Sequence, residues 1–181
     1  VSPAGHVFGY GSLVAAAERV VALRGHRRVW GVAMDNRVAV PGYKVYELAD
    51  GTRPPVSVAF LDLEPAAEDD AVVEGGLLPV DAAALARLDD RERQYARIDV
   101  TAAIAPATAG RVWAYAGRAE GRARAAAGRA GIAEVVVQRA YVDRVEAAFA
   151  RLGDGALERY RATTEPVPFP LAELARIDVP A

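Results

Sequence analysis

Two places in this chain hold residue types whose spacing could do chemistry: a glycine-rich turn near the N-terminus and a charged segment at a predicted helix end. The turn is Val7-Phe8-Gly9-Tyr10-Gly11-Ser12-Leu13. An apolar, β-prone start runs into two glycines and a serine, then into an alanine-rich segment. That order reads as strand, tight turn, helix. Glycine at 9 and 11 is free to take positive φ and lets a ligand approach the main chain. The amides of Gly11 to Leu13 can then converge on an anionic group or a carbonyl oxygen. The turn is not a dinucleotide fingerprint, because Val14 stands where the third glycine belongs. Nor is it a P-loop, because the only lysine in the chain is Lys44.

The second place is Leu88-Asp89-Asp90-Arg91-Glu92-Arg93-Gln94-Tyr95. Asp81 is a good N-cap for a helix from Ala82 to about Asp90, with Leu85 and Leu88 on one face. Glu92 continues that face four residues after Leu88. A glutamate there is exposed past the edge of the core or partly buried. If buried, its pKa rises and it becomes a general acid or base. Asp89 and Asp90 lie off the line and read as solvated, with Asp89 an alternative local cap.

Composition narrows the chemistry further. The chain has 181 residues, 52 % of them hydrophobic and 25 % charged, with a net charge of −2. That is the balance of a folded globular chain, with no global pull toward nucleic acid or an anionic membrane. There is no cysteine, so disulfides, thiolate catalysis and thiolate metal sites are excluded. The only histidines are His6 and His26, too few for a histidine-rich metal site. No apolar run is long enough to span a membrane. No basic region followed by an apolar core opens the chain, so a cytoplasmic location is expected. Arginine used almost to the exclusion of lysine, with abundant alanine, is the composition of a GC-rich bacterial genome. The sequence leaves the oligomeric state open.

The elements that must position these residues follow from the patterning. Strands are predicted at Val7–Gly9, Arg27–Met34, Tyr43–Leu48 and Val56–Leu63. A short helix is predicted over Val14–Leu23. Glu68-Asp69-Asp70 reads as an acidic loop. Val72–Val80 reads as a strand in which Gly75-Gly76 marks a bulge or a close backbone approach. Further strands are expected at Ala96–Ile104 and Arg111–Ala116. The Arg/Ala-rich stretch from Arg118 to Gly131 has no clear period and reads as a surface helix or loop. Gln138–Leu152 is a helix, with Tyr141, Val145, Ala148, Phe149 and Leu152 at helical spacing. Ala156–Ala162 is a shorter helix. A proline-rich tail from about Thr163 is expected to run extended over the surface. The whole, 1–181, reads as one domain: α+β, with a mixed, partly closed sheet.

Phe8-Gly9-Tyr10-Gly11-Ser12-Leu13, followed about eighty residues later by Leu88-Asp89 and Arg91-Glu92 with Tyr95 three further on, resembles the γ-glutamylcyclotransferase-like superfamily. That group includes γ-glutamylcyclotransferases, ChaC-type glutathione-degrading enzymes and γ-glutamylamine cyclotransferases. The strand Arg111-Val112-Trp113-Ala114-Tyr115 and a late helix opening with Tyr141-Val142 extend the resemblance to about residue 152. The resemblance implies a small β-barrel-like sheet flanked by helices. It implies that Glu92 is the catalytic glutamate. It also implies that Tyr10, Gly11, Ser12 and Leu13, with Gly9 before them, form the substrate loop, and that Tyr141 lines the pocket. Leu13, where some members carry Asn, is shared with the ChaC-type and γ-glutamylamine branches, so the γ-glutamyl substrate stays open.

The implied reaction suits these residue types. A γ-glutamyl compound carries its own nucleophile, the α-amine, so closure to 5-oxoproline needs no enzyme nucleophile and no metal or cofactor. The protein need only fold the substrate and move a proton, which one carboxylate of raised pKa can do in both directions. Loop amides would stabilise the oxyanion. Two other readings stay open at this point. One is a binding module that keeps the pocket without turnover. The other is a tailoring enzyme acting on a larger γ-glutamylated intermediate. A serine-hydrolase reading of Ser12, with His6 or His26 as base, lacks the surrounding Gly-x-Ser-x-Gly elbow.

Overall fold

A computed structural model of the chain describes residues 5–67 and 71–181. The acidic loop expected at Glu68-Asp69-Asp70 lies outside the described residues. In chain order, β1 (Gly5–Gly9) leads through a 3-10 turn (Ser12–Ala16) to β2 (Arg19–Arg24), β3 (His26–Asp35), β4 (Lys44–Glu47), β5 (Ser57–Pro65) and β6 (Val72–Val80). Helix α1 (Ala82–Arg91) follows, then β7 (Tyr95–Asp99), β8 (Ile104–Ala105), β9 (Arg111–Gly117), α2 (Ala119–Arg129), β10 (Val135–Gln138), α3 (Arg139–Leu152) and α4 (Ala156–Thr163). The chain ends through β11 (Leu171–Ala172) and β12 (Ala175–Asp178).

The strands form three sheets. A curled six-stranded half-barrel has the order β7-β9-β1-β6-β2-β8, with β1 and β9 parallel and its other pairs antiparallel. A four-stranded sheet has the order β11-β10-β5-β3, and β12 pairs antiparallel with β4. The fold is α+β with a mixed, partly closed sheet. Between the sheets lies one main apolar cluster that includes Phe8, Trp30, Leu61, Leu77, Tyr141 and Phe149, all buried.

Several expectations are corrected. Val14–Leu23 is not a helix. Only the 3-10 turn is helical, and Arg19–Arg24 is a strand whose Val21 and Leu23 point inward at period two. Two β-branched valines and a sheet partner on each side outweigh the alanines before them. Ala96–Ile104 is broken, because the Asp99 carboxylate accepts bonds from the Thr101 amide and hydroxyl at 3.0 and 2.6 Å and turns the chain. Of the two readings of Gly75-Gly76, the close approach holds: the ladder is regular, without a bulge, and the glycines admit the Gly9 carbonyl and Ala17.

The Arg118–Gly131 stretch contains a helix, α2. Its buried residues are Gly121 and Ala125, so it lies on β3 with no row of large apolar side chains to announce it. Its arginines are ties to the body of the fold rather than a solvated face. Arg122 donates to Asp62, and Arg129 to Glu165. The tail does more than cover the surface. Glu165 accepts from the Trp30 amide at 3.0 Å, where the register of β3 shifts, and β12 completes a sheet with β4.

Asp62 on β5 is fully buried. Its carboxylate accepts from the amides of Leu63 and Gly117 at 2.7 and 2.6 Å and from Arg122 Nε at 2.7 Å. It therefore joins the four-stranded sheet to β9 of the other sheet and to α2. Replacing it with Ala leaves the Gly117 amide without its acceptor and Arg122 without its partner. The Asp62→Ala variant is expected to lose about 3 kcal/mol, which is roughly 6–12 °C in thermal midpoint for a domain of this size. Thermal unfolding followed by circular dichroism checks this. A loss below about 1 kcal/mol contradicts the role assigned to Asp62.

Candidate active site

Helix α1 starts where Asp81 accepts a hydrogen bond from the Ala84 amide at 2.7 Å. It ends at Glu92, whose amide donates to the Leu88 carbonyl at 2.8 Å and whose carbonyl accepts from the Tyr95 amide at 2.9 Å. This turn fixes the backbone of Glu92 at the corner between α1 and β7. The side chain is 15 % exposed and lies 3.1 Å from Arg91 Nε. Burial pushes its pKa above the ordinary glutamate value, opposed by the positive charges of Arg91, Lys44 and Arg176.

Facing it is the glycine-rich turn. Neither Gly9 nor Gly11 takes the positive φ that the sequence allows. Gly11 instead makes room for a neighbour: a Cβ there would sit 2.9 Å from the Tyr141 hydroxyl. The Gly11 carbonyl accepts from the Val14 amide at 3.0 Å, which opens the 3-10 turn. The amides of Gly11, Ser12 and Leu13 precede that bond and have no acceptor among the described residues.

Tyr10, Gly11, Ser12 and Leu13 line an inner recess together with Glu92, Leu61, Tyr95, Tyr115 and Tyr141. The recess has a volume of about 30 Å³, room for one or two water-sized groups such as a carboxylate. Ser12, Glu92, Tyr95 and Tyr141 also line an outer cleft of about 580 Å³. Glu92 thus stands where the two meet. Of the residues singled out from sequence, Gly9 alone lies behind the cavity, as the last residue of β1 paired with Gly76. His6 and His26 do not line it, so Ser12 has no histidine base; its hydroxyl faces Arg91 at 3.4 Å. No cluster of three metal-ligating side chains occurs among the described residues.

Tyrosine hydroxyls hold the recess together. Tyr10 donates to the Tyr115 carbonyl at 2.5 Å, and Tyr95 to the Leu61 carbonyl at 2.9 Å. Tyr115 donates to Asp89 at 2.8 Å, so Asp89, exposed as expected, is also an anchor. Sequence reasoning missed Tyr95, Tyr115 and Leu61 as lining residues. Tyr95 and Tyr115 belong to the quoted motifs, but which face of β7 and β9 meets the turn depends on sheet pairing distant in sequence.

A family pattern described as "Gamma-glutamyl cyclotransferase, AIG2-like" matches residues 7–130. The chain belongs to this family. No curated protein matches it in sequence. Solved structures share its fold at low identity. One described as a γ-glutamyl cyclotransferase has a TM-score of 0.54 at 12 % identity, over 90 % of this chain and 88 % of that one. An uncharacterised protein from Homo sapiens has a TM-score of 0.54 at 14 % identity, with 90 % and 88 % covered. YkqA from Bacillus subtilis has a TM-score of 0.52 at 15 % identity, over 87 % of this chain and 53 % of that one. The family match includes the turn and Glu92 but ends before α3, so Tyr141 reaches the cavity from outside it.

The contact between Gly11 and Tyr141 yields a test. Gly11→Ala forces the Tyr141 ring to shift and is expected to lower the thermal midpoint, at a cost of about 1–3 kcal/mol. In a Tyr141→Phe background, which lacks the obstructing hydroxyl, the same change is expected to cost less. A double-mutant cycle of unfolding free energies measures the difference. Strictly additive effects contradict the contact.

Proposed function

We propose that the protein is a γ-glutamyl cyclotransferase that releases 5-oxoproline from a γ-glutamyl amino acid, amine or peptide. The observation that carries this reading is a largely buried carboxylate of raised pKa, Glu92, sharing one small recess with the turn Gly11 to Leu13, whose amides have no acceptor among the described residues. Membership of the family supports the reaction class.

In this reading the amides of Gly11 to Leu13 bind negative charge, either the substrate's α-carboxylate or the developing oxyanion. The α-ammonium then lies beside Glu92, which takes a proton from it. The freed nitrogen attacks the γ-carbonyl carbon, and the new C–N bond closes a five-membered ring. Glu92 returns its proton to the leaving nitrogen as the old C–N bond breaks. The second proton lost by the ring nitrogen is balanced by the one that the free amine takes from water. Burial makes Glu92 a stronger base than a surface glutamate. The tyrosine-lined walls hold the chain folded for closure, which supplies the effective molarity of an intramolecular attack.

Glu92→Gln keeps the shape but cannot carry the proton. It is expected to lower 5-oxoproline formation about 10²–10⁴-fold while the substrate still binds. Single-turnover assays together with calorimetric titration check this. Near wild-type turnover in the variant contradicts the role of Glu92, and binding without any turnover in the wild type favours a binding module instead.

The pH profile offers a separate check. Glu92 must be ionised to act as base, so kcat/KM is expected to fall as pH drops through its pKa. Because burial raises that pKa, the fall is expected to begin at a higher pH than for an exposed glutamate. A profile flat down to the ordinary carboxylate range contradicts the assignment.

A further inference from the structure

The outer cleft combines parts of the chain inside the family pattern with parts that the pattern does not include. Lys44 comes from β4, Arg144 from α3 and Arg176 from β12, and all three line the cleft beside Glu92. The last two lie beyond residue 130, where the family match ends. Lys44 is the only lysine in the chain. Its ammonium is held 4.6 Å from the centre of the Phe60 ring and 5.3 Å from that of Tyr43.

The charges do not balance within the cleft. Arg91 pairs with Glu92, and Arg176 with Asp178. Arg93 donates to the carbonyls of Asp90 and Pro41, which neutralises nothing. Asp90, the remaining acid of the lining, is in no ion pair among the described residues, and neither are Lys44 and Arg144. Five cations therefore line a space with three acids, one of which is Glu92 itself. Burial pushes the Lys44 ammonium down to about 8, the mark of a cation that has lost water without gaining a full counter-charge.

Resting on the cyclotransferase reading, the direction of the substrate follows. With the α-carboxylate or oxyanion on the turn amides and the α-amine at Glu92, only the outer cleft remains for the leaving amine. We infer that Lys44, Arg144 and Arg176 select γ-glutamyl substrates whose leaving amine carries an anionic group, a carboxylate being the smallest. Amino acids and short peptides have this chemistry. Diamines and polyamines bring a second positive charge into the cleft and are disfavoured by like-charge repulsion.

Three substrates of matched size test the inference: γ-glutamyl-alanine, its uncharged C-terminal amide, and γ-glutamyl-1,3-diaminopropane. The 5-oxoproline released from each gives kcat/KM. The acid is expected to exceed the amide by about tenfold or more, and the diamine conjugate to be the poorest. In Arg144→Gln and Arg176→Gln, both at exposed side chains, the acid-to-amide ratio is expected to fall severalfold. Lys44→Met is expected to reduce it further if that variant folds. Equal turnover of acid, amide and diamine conjugates overturns the inference alone. So does a loss in the arginine variants that is the same for acid and amide. Absence of 5-oxoproline from all three overturns the cyclotransferase reading and the inference with it.

Discussion

The structure depends on one buried charge. Asp62 sits where the four-stranded sheet meets the half-barrel, and its carboxylate has no exposure to water. A charge in such a place is tolerable only if its oxygens are fully engaged. Two amides and a guanidinium engage them, and each belongs to a different part of the fold or fixes the local strand. Gly117 must be glycine because a Cβ would run into this carboxylate at 2.6 Å. From Asp62 the order propagates toward the site. Leu61, its neighbour, receives the Tyr95 hydroxyl, while β9 carries Tyr115 to both Tyr10 and Asp89. Asp89 lies three residues before Glu92 on the last turn of α1, so the seam of the two sheets and the position of the candidate catalytic carboxylate are mechanically linked.

The site itself opposes stability. Glu92 is most comfortable protonated, since burial raises its pKa in the folded chain. A carboxyl whose folded pKa exceeds its unfolded one stabilises the fold below the unfolded pKa and loses that contribution as pH rises through the folded one. At neutral pH, where the proposed chemistry needs the ionised form, the charge is held at a cost. Arg91 and the more distant Lys44 and Arg176 offset part of it. A local departure of this kind beside a recess is what a binding or reacting site requires.

Much of this was legible in the sequence where local chemistry decides the outcome. Asp81 caps α1 as its type and position demand, and the Leu85-Leu88-Glu92 row predicts a carboxylate at the edge of an apolar face. The pairing of the glycine turn with Glu92 is what the family resemblance carried by these two motifs implies. The misreadings share a cause. Val14–Leu23 reads as a helix because apolar residues fill most of its positions, whereas the partners that make Arg19–Arg24 a strand, β6 and β8, lie far along the chain. Helix α2 was obscure because small residues, not large ones, face β3. The cationic outer cleft was invisible because Lys44, Arg144 and Arg176 are separated by long stretches of sequence and meet only when β12 pairs with β4.

The central claim is that the γ-glutamyl portion of a substrate sits where the inner recess meets the outer cleft, with its α-nitrogen against Glu92. A crystal structure of the protein with 5-oxoproline, the ring that the proposed reaction leaves behind, tests this most directly. The account predicts the ring nitrogen within hydrogen-bond distance of the Glu92 carboxyl and a ligand oxygen on the amides of Gly11 to Leu13. A ring bound elsewhere, or bound at the junction of recess and cleft with Glu92 turned away from it, contradicts the account.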